Sequence, residues 1–173
     1  MAEPAHHSAP DGPPGSHDPR PLPDAEATAE LGRQLAQMLL PHCRRGRAAL
    51  LLLQGDLGAG KTCLVQGLAL ELGIEEPITS PTFALAQHYQ GRRQGQPTAL
   101  VHLDLYRLEE AAAADELLLQ EEEEAAALGA VLAVEWPQRL SALPQDAWNL
   151  RLTLTEGGDP AAGRLAWLQN PDI

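Results

Sequence analysis

Lysine is almost missing from this chain. Lys61 is its single example, against eleven arginines. Positive charge is scarce altogether: 24 acids face 12 bases, for a formal charge of −12. Such a surface repels a phosphate backbone, so any nucleic acid in the protein's work is expected to be held by a partner. Aromatic residues number only six, which leaves Leu, Ala and Val to build the core. Cys43 and Cys63 are too few for a disulfide framework and read as reduced thiols of a cytoplasmic protein. No apolar stretch approaches the roughly 20 residues that cross a bilayer. The N-terminus has no basic end followed by an apolar run, so neither a signal peptide nor a membrane is expected.

What is present divides into two parts. Residues 1–23 hold seven of the 15 prolines, three of the six histidines and almost nothing apolar. They are expected to form a disordered tail, because they bury too little to offset the entropy of ordering. His6, His7 and His17 read as solvated tail residues rather than a metal site. Residues 24–173 are expected to form one domain. Asp24 is a helix N-cap, followed by Ala27, Leu31, Leu35, Met38 and Leu39 at helical spacing and by Pro41 as a stop. Ala48–Leu53 is a strand buried on both faces. A second helix carries Leu64, Val65, Leu68, Ala69 and Leu72 and ends at Gly73. Residues 78–89 read as extended or loop, broken by Pro81, and residues 92–97 as a polar turn. Strands are expected at 99–103 and 130–134, around a helix at 109–128 whose run Glu121–Glu124 reads as a solvated face. Leu150, Leu152 and Leu154 alternate with polar residues as in a half-exposed strand, and 164–168 returns as its hairpin partner.

The chemistry starts at residues 55–62. They read GDLGAGKT, a full match to the phosphate-binding pattern G-x-x-x-x-G-K-[ST]. Glycines at 55, 58 and 60 let backbone amides converge on phosphate oxygens, and the following helix adds the partial positive charge of its N-terminus. Lys61 is expected to reach the β- and γ-phosphates, and the Thr62 hydroxyl to ligate Mg²⁺. A hydroxyl brings little charge to a metal, so a carboxylate is required elsewhere. Context supports the match, with a buried strand before the loop and an amphipathic helix after it. The one lysine of an arginine-rich chain stands where the motif requires lysine.

Asp104 and Glu135 each close a strand of the same kind. In an open α/β sheet, ligands bind beyond the carboxyl ends of the strands. If these strands are parallel neighbours, both acids reach the phosphate loop. One then serves Mg²⁺ and the other orients or deprotonates the attacking water. Taken alone, each acid is as readily a polar strand terminus. His102 reads as a packed neutral histidine and Trp136 as a packing residue, with Pro137 fixing the exit of the chain. Ser80, Pro81 and Thr82 form either a plain turn or a switch segment whose hydroxyl senses the γ-phosphate.

GDLGAGKT at 55–62, SPTF at 80–83, HLDLYRL at 102–108 and VEWP at 134–137 occur in the order seen in the bacterial TsaE family, which the chain resembles from about Pro21 to Pro144. The segment PLPDAEAT at 21–28 also resembles the family's entry to its first helix. The resemblance implies a three-layer α/β P-loop fold with a mixed, mainly parallel sheet. It implies a Mg²⁺-dependent ATPase, slow alone, in the synthesis of threonylcarbamoyladenosine in tRNA. Two partners are implied, the tRNA-modifying subunit and its inactive paralogue, with tRNA engaged only through them. It places Leu57, Gly58, Ala59, Gly60, Lys61, Thr62 and Cys63 on the nucleotide, Ala25 and Thr28 near the adenine, Thr82 in the switch loop and Trp136 beside the site. Lys61, Asp104 and Glu135 are the implied catalytic residues, and Thr62 and Glu135 the metal-side pair. The choice of ATP over GTP rests on this resemblance alone. Cys63 stands where the family usually has Thr or Ser, and the acidic run replaces an internal glycine. The rival reading is a small-molecule phosphotransferase, whose arginine-bearing lid is not evident: Arg92 and Arg93 are the only adjacent arginines after the loop.

Overall fold

The structure, a computed structural model, describes residues 18–171. A seven-stranded sheet lies between helices. Its strands are β1 (Arg20–Leu22), β2 (Ala49–Gln54), β3 (Ala86–Arg93), β4 (Gln96–Asp104), β5 (Val131–Glu135), β6 (Trp148–Leu154) and β7 (Arg164–Gln169). Their order across the sheet is β1-β7-β6-β2-β5-β4-β3. The inner strands β6, β2, β5 and β4 pair in parallel, and the outer pairings are antiparallel. Only β7 and β3 run against the other strands. The sheet is therefore mixed and mainly parallel, as the family resemblance implied.

Alternation along the buried strands sorts the core into two layers. Leu51 and Leu53 of β2 face the helices α1 (Ala25–Leu39) and α2 (Lys61–Glu71), with Val131 and Ala133 of β5. Leu50 and Leu52 face α3 (Ala111–Leu128), with Leu132 and Val134. A fully buried Leu contributes about 1.5–3 kcal/mol of hydrophobic stabilisation, so these alternating leucines dominate the energetics of a core poor in aromatics. Asp24 caps α1 as expected, accepting the Ala27 amide at 2.8 Å.

Three expectations need correction. Order begins before Asp24: β1 pairs with β7, and Leu22 is fully buried in the α1–α2 layer. Pro21 within it and Pro19 and Pro23 on either side hid this strand, since proline reads as a breaker although it is tolerated in an edge strand. The remainder of the tail reading, including His6, His7 and His17, falls on residues 1–17, outside the described residues. Residues 86–89, read as extended or loop, are extended, but they open a strand, β3, that runs on through Arg93 into the stretch read as a polar turn; the turn itself is only Gln94-Gly95, which joins β3 to β4 in a hairpin. Lastly, the run Glu121–Glu124 is not wholly solvated. Four consecutive residues exceed one helical turn, so one must face inward. Glu121 does, and its carboxylate meets His88 Nε2 of β3 at 2.6 Å. Glu122 is half-buried, and burial, then the charge of Asp146, raises its pKa.

Candidate nucleotide site

The site lies at the carboxyl edge of the parallel strands. β2 runs out into the glycine loop, and α2 begins at Lys61 with Gly60 as its N-cap. Gly60 adopts φ 103°, a left-handed backbone that side chains resist, and a Cβ there would overlap the Arg164 guanidinium. Neighbouring β4 and β5 end in the two acids, which are register partners: Asp104 lies directly opposite Glu135. β5 also pairs in parallel with β2. Topology alone thus brings loop and acids to one place.

A cavity of about 400 Å³ opens there, lined by Leu57, Gly58, Gly60, Lys61, Thr62 and Cys63 from the loop and α2. Ser80, Thr82, Asp104, Tyr106, Glu135 and Trp136 line its other side. Lys61 is nearly buried, and its ammonium donates to the carbonyls of Gly55 at 2.6 Å and Asp56 at 3.0 Å. It makes no salt bridge among the described residues. Burial pushes its pKa below the usual lysine value, while Glu135, Asp104 and Asp56 pull it back up. A buried cation with only carbonyl partners, at a helix N-terminus, is suited to an anion.

Glu135 and Asp104 are both buried and hold different partners. Glu135 Oε1 accepts the Thr62 hydroxyl at 3.2 Å and faces His102 Nε2 at 2.9 Å. Asp104 Oδ2 accepts the hydroxyls of Ser80 at 3.0 Å and Thr82 at 3.2 Å, while Oδ1 accepts the Tyr106 amide at 2.9 Å. One acid is therefore tied to the start of α2 and the other to the 80–82 loop. Carboxylate and hydroxyl oxygens are the hard donors that Mg²⁺ prefers. No cluster of three or more His, Cys, Asp or Glu arranged to hold a metal occurs among the described residues.

Trp136 has φ 60° and ψ 46°, left-handed values that are rare for a bulky residue and cost about 1–3 kcal/mol. Its amide bonds to Leu53 O, its ring stacks tilted on Tyr106 at 4.8 Å, and the Lys61 ammonium lies 4.6 Å over the indole. Three residues named from the sequence stand off the cavity wall. Thr28 is fully buried and donates its hydroxyl to Asp24 O, Ala59 is buried beneath the loop, and Ala25 accepts the Cys63 thiol at 3.3 Å. Sequence reasoning missed Tyr106 and Arg164. Arg164, buried in β7, donates to Ala59 O at 3.1 Å and Pro160 O at 3.0 Å, tying the loop to the 155–163 turn. Its hairpin was legible, but nothing in the local pattern marked this arginine off from the other ten.

A parallel sheet edge, a glycine loop opening α2 and two convergent acids define a P-loop nucleotide-binding α/β protein. The family model described as "Threonylcarbamoyl adenosine biosynthesis protein TsaE" matches residues 22–161. Relatives called "tRNA threonylcarbamoyladenosine biosynthesis protein TsaE" include one from Synechocystis sp., 46% identical over 71% of this chain and 72% of its own length. One from Nostoc sp. is 40% identical over 82% of this chain and 81% of its own. One from Mycobacterium bovis is 38% identical over 84% of each. The chain belongs to the TsaE family.

Proposed function

We propose that the chain binds MgATP in the 400 Å³ cavity and hydrolyses it slowly, in the cytoplasm, to drive a complex that makes threonylcarbamoyladenosine in tRNA. The relatives' names carry the pathway. The observation that carries the chemistry is the convergence of Lys61, the Thr62–Glu135 pair and Asp104 on one cavity. The loop amides and Lys61 bind the β- and γ-phosphates, and Lys61 turns from the Gly55 and Asp56 carbonyls to do so. Thr62 and Glu135 would hold Mg²⁺, which when bound supplies positive charge to the phosphate oxygens. Asp104 orients the attacking water, and Thr82 leaves Asp104 when the 80–82 loop senses the γ-phosphate. Ala25 and Thr28 frame the adenine side through α1, and Cys63 and Arg164 support the loop. Residues 24–173, with β1 added, form the ATPase domain.

The partners in this reading are the tRNA-modifying subunit and its inactive paralogue. A surface of charge −12 gives the chain alone no counterion-release advantage on tRNA, so tRNA is reached through them. No helix among the described residues is long and apolar enough to cross a membrane. The phosphotransferase reading gains nothing from its arginines: Arg93 is bridged to Glu71 of α2, and Arg92 donates to Gly95 O. The test is ATP turnover, with GTP in parallel, before and after both partners are added. A rise on addition is expected. Unchanged turnover with a complex demonstrably formed would refute the coupling, and absence of nucleotide binding would refute the site.

A further inference from the structure

His102 is completely buried in β4, between Leu100 and Asp104 on the face that looks toward α2. Its register partner on β5 is the small Ala133, and Glu135 lies two residues further along the same face. The ring's Nε2 meets Glu135 Oε1 at 2.9 Å. A carboxylate only accepts, so Nε2 carries the hydrogen. Nδ1 is buried and has no partner, which suits a lone pair. A second N–H there would be a buried donor left unsatisfied, at a cost of about 1–3 kcal/mol. Nε2 is thus the ring nitrogen that donates to Glu135.

This places two donors, the Thr62 hydroxyl and the His102 ring, on the same oxygen of Glu135. Among the described residues nothing donates to Oε2. The carboxylate is fixed by one oxygen and presents the other, on a side chain that lines the cavity. A polar ring with an unpaired nitrogen is a poor choice for a leucine-rich core on packing grounds alone, since an apolar residue would fill the space without the polar cost.

We propose that His102 is a positioning residue for the metal-side acid: its Nε2–H holds Glu135 so that Oε2 faces a divalent cation bound with the nucleotide. The inference rests on the reading of Glu135 as a metal-side residue. Outer-shell donors that orient a ligand typically contribute about 10–100-fold to metal affinity. Glutamine can place an amide N–H near the position of Nε2. Leucine removes the donor, and asparagine, one carbon shorter than glutamine, does not reach.

The test uses the full chain and a fluorescent ATP analogue, with binding measured first in EDTA and then across a MgCl₂ titration. Mn²⁺ binding by electron paramagnetic resonance gives a second readout. His102→Leu and His102→Gln are expected to bind the analogue as wild type does in EDTA, and the Mg²⁺ midpoint of each variant, Glu135→Ala included, is read against its own metal-free affinity. The Mg²⁺ midpoint should rise about 10–100-fold in His102→Leu and stay within about threefold of wild type in His102→Gln. Glu135→Ala should raise it as well. If Glu135→Ala shifts the midpoint and His102→Leu does not, the positioning role is overturned and the Glu135 reading survives. If neither shifts it, both fall. If Leu and Gln shift it equally, the ring acts by shape and the donor role is overturned. Should His102→Leu fail to fold, His102→Asn takes its place against Gln, with the same outcomes.

Discussion

Thr82 donates its hydroxyl to Asp104 Oδ2 at 3.2 Å, beside a second bond to the same oxygen from Ser80 at 3.0 Å. The acid proposed to orient water is therefore occupied by the loop proposed to sense the γ-phosphate. Ser80→Ala with Thr82→Val removes both donors. A typical hydrogen bond contributes about 0.5–1.5 kcal/mol net, and more to a charged acceptor, so the loop should open about tenfold more often or beyond. Hydrogen exchange of residues 79–85 should quicken while that of β4 stays unchanged. Unchanged exchange in the loop would show that it is held by other contacts.

Lys61 offers a test through its amine. Burial lowers its pKa below 10.5, so at a given pH more of it is neutral and reactive than in an ordinary lysine. The fold binds this proton less tightly than the unfolded chain does. Stability contributed at this position therefore rises as pH climbs from the lowered value toward 10.5. Amine-reactive labelling at pH 8–9 should modify Lys61 as the only side-chain amine, and MgATP should protect it. Lys61→Ala should cut turnover about 10²-fold or more, the scale of removing one preorganised charge-stabilising donor. Equal labelling with and without saturating MgATP would remove Lys61 from the phosphate site.

The sequence made the central strands, all three helices and the two acids legible, because each rests on a local signal. Asp24 marks a cap, Leu50–Leu53 an unbroken apolar run, and Asp104 and Glu135 follow apolar strands directly. What stayed hidden depends on long-range pairing. β3 was legible only as extended or loop up to Tyr89; with Gln87, His88, Gln90 and three consecutive polar or glycine positions from 91, it is a strand to Arg93 only because β4 pairs with it. β1 exists only because β7 offers an edge. Leu22 tests that edge directly: Leu22→Ala should cost about 2–5 kcal/mol, whereas a solvated tail residue would cost almost nothing. His102 was legible as a buried histidine, but its bond to Glu135 crosses between strands and has no local sign. The same holds for Arg164 and the loop carbonyl it supports.

The packing of α1 on α2 makes a stability prediction. Gly32 and Gly67 let the two helices approach so closely that a Cβ on Gly32 would overlap Leu64 O, and one on Gly67 would overlap Ala29 O. These obstacles are helix backbone and cannot rotate away. Gly67→Ala should destabilise the fold by about 1–3 kcal/mol, the range for overpacking, despite alanine's better helix propensity. The melting temperature should fall by roughly 2–4 °C for each kcal/mol. Because α2 carries Lys61 and Thr62 at its first turn, nucleotide affinity should weaken with it. An unchanged melting temperature would mean that the helices can part at no cost.

Trp136 gives the most direct report on the nucleotide. Its indole lies 4.6 Å beneath the Lys61 ammonium and 4.8 Å from Tyr106, on a left-handed backbone that follows Glu135 directly. If Lys61 leaves the Gly55 and Asp56 carbonyls for a phosphate, the charge over the indole moves, and indole emission responds to nearby charge. Two other indoles interfere: Trp148 stacks on His42 at 4.7 Å, and Trp167 lies under Arg151. Phe at positions 148 and 167 leaves Trp136 alone, and neither replaced ring lines the cavity. In that background MgATP should change the emission. ADP should change it less, because Lys61 then has no γ-phosphate to follow. Lys61→Met should abolish the difference between the two nucleotides while leaving the indole in place. Flat emission during a titration in which ATP demonstrably binds would end the claim that Lys61 moves on binding, because no route to a phosphate keeps its charge fixed over the ring.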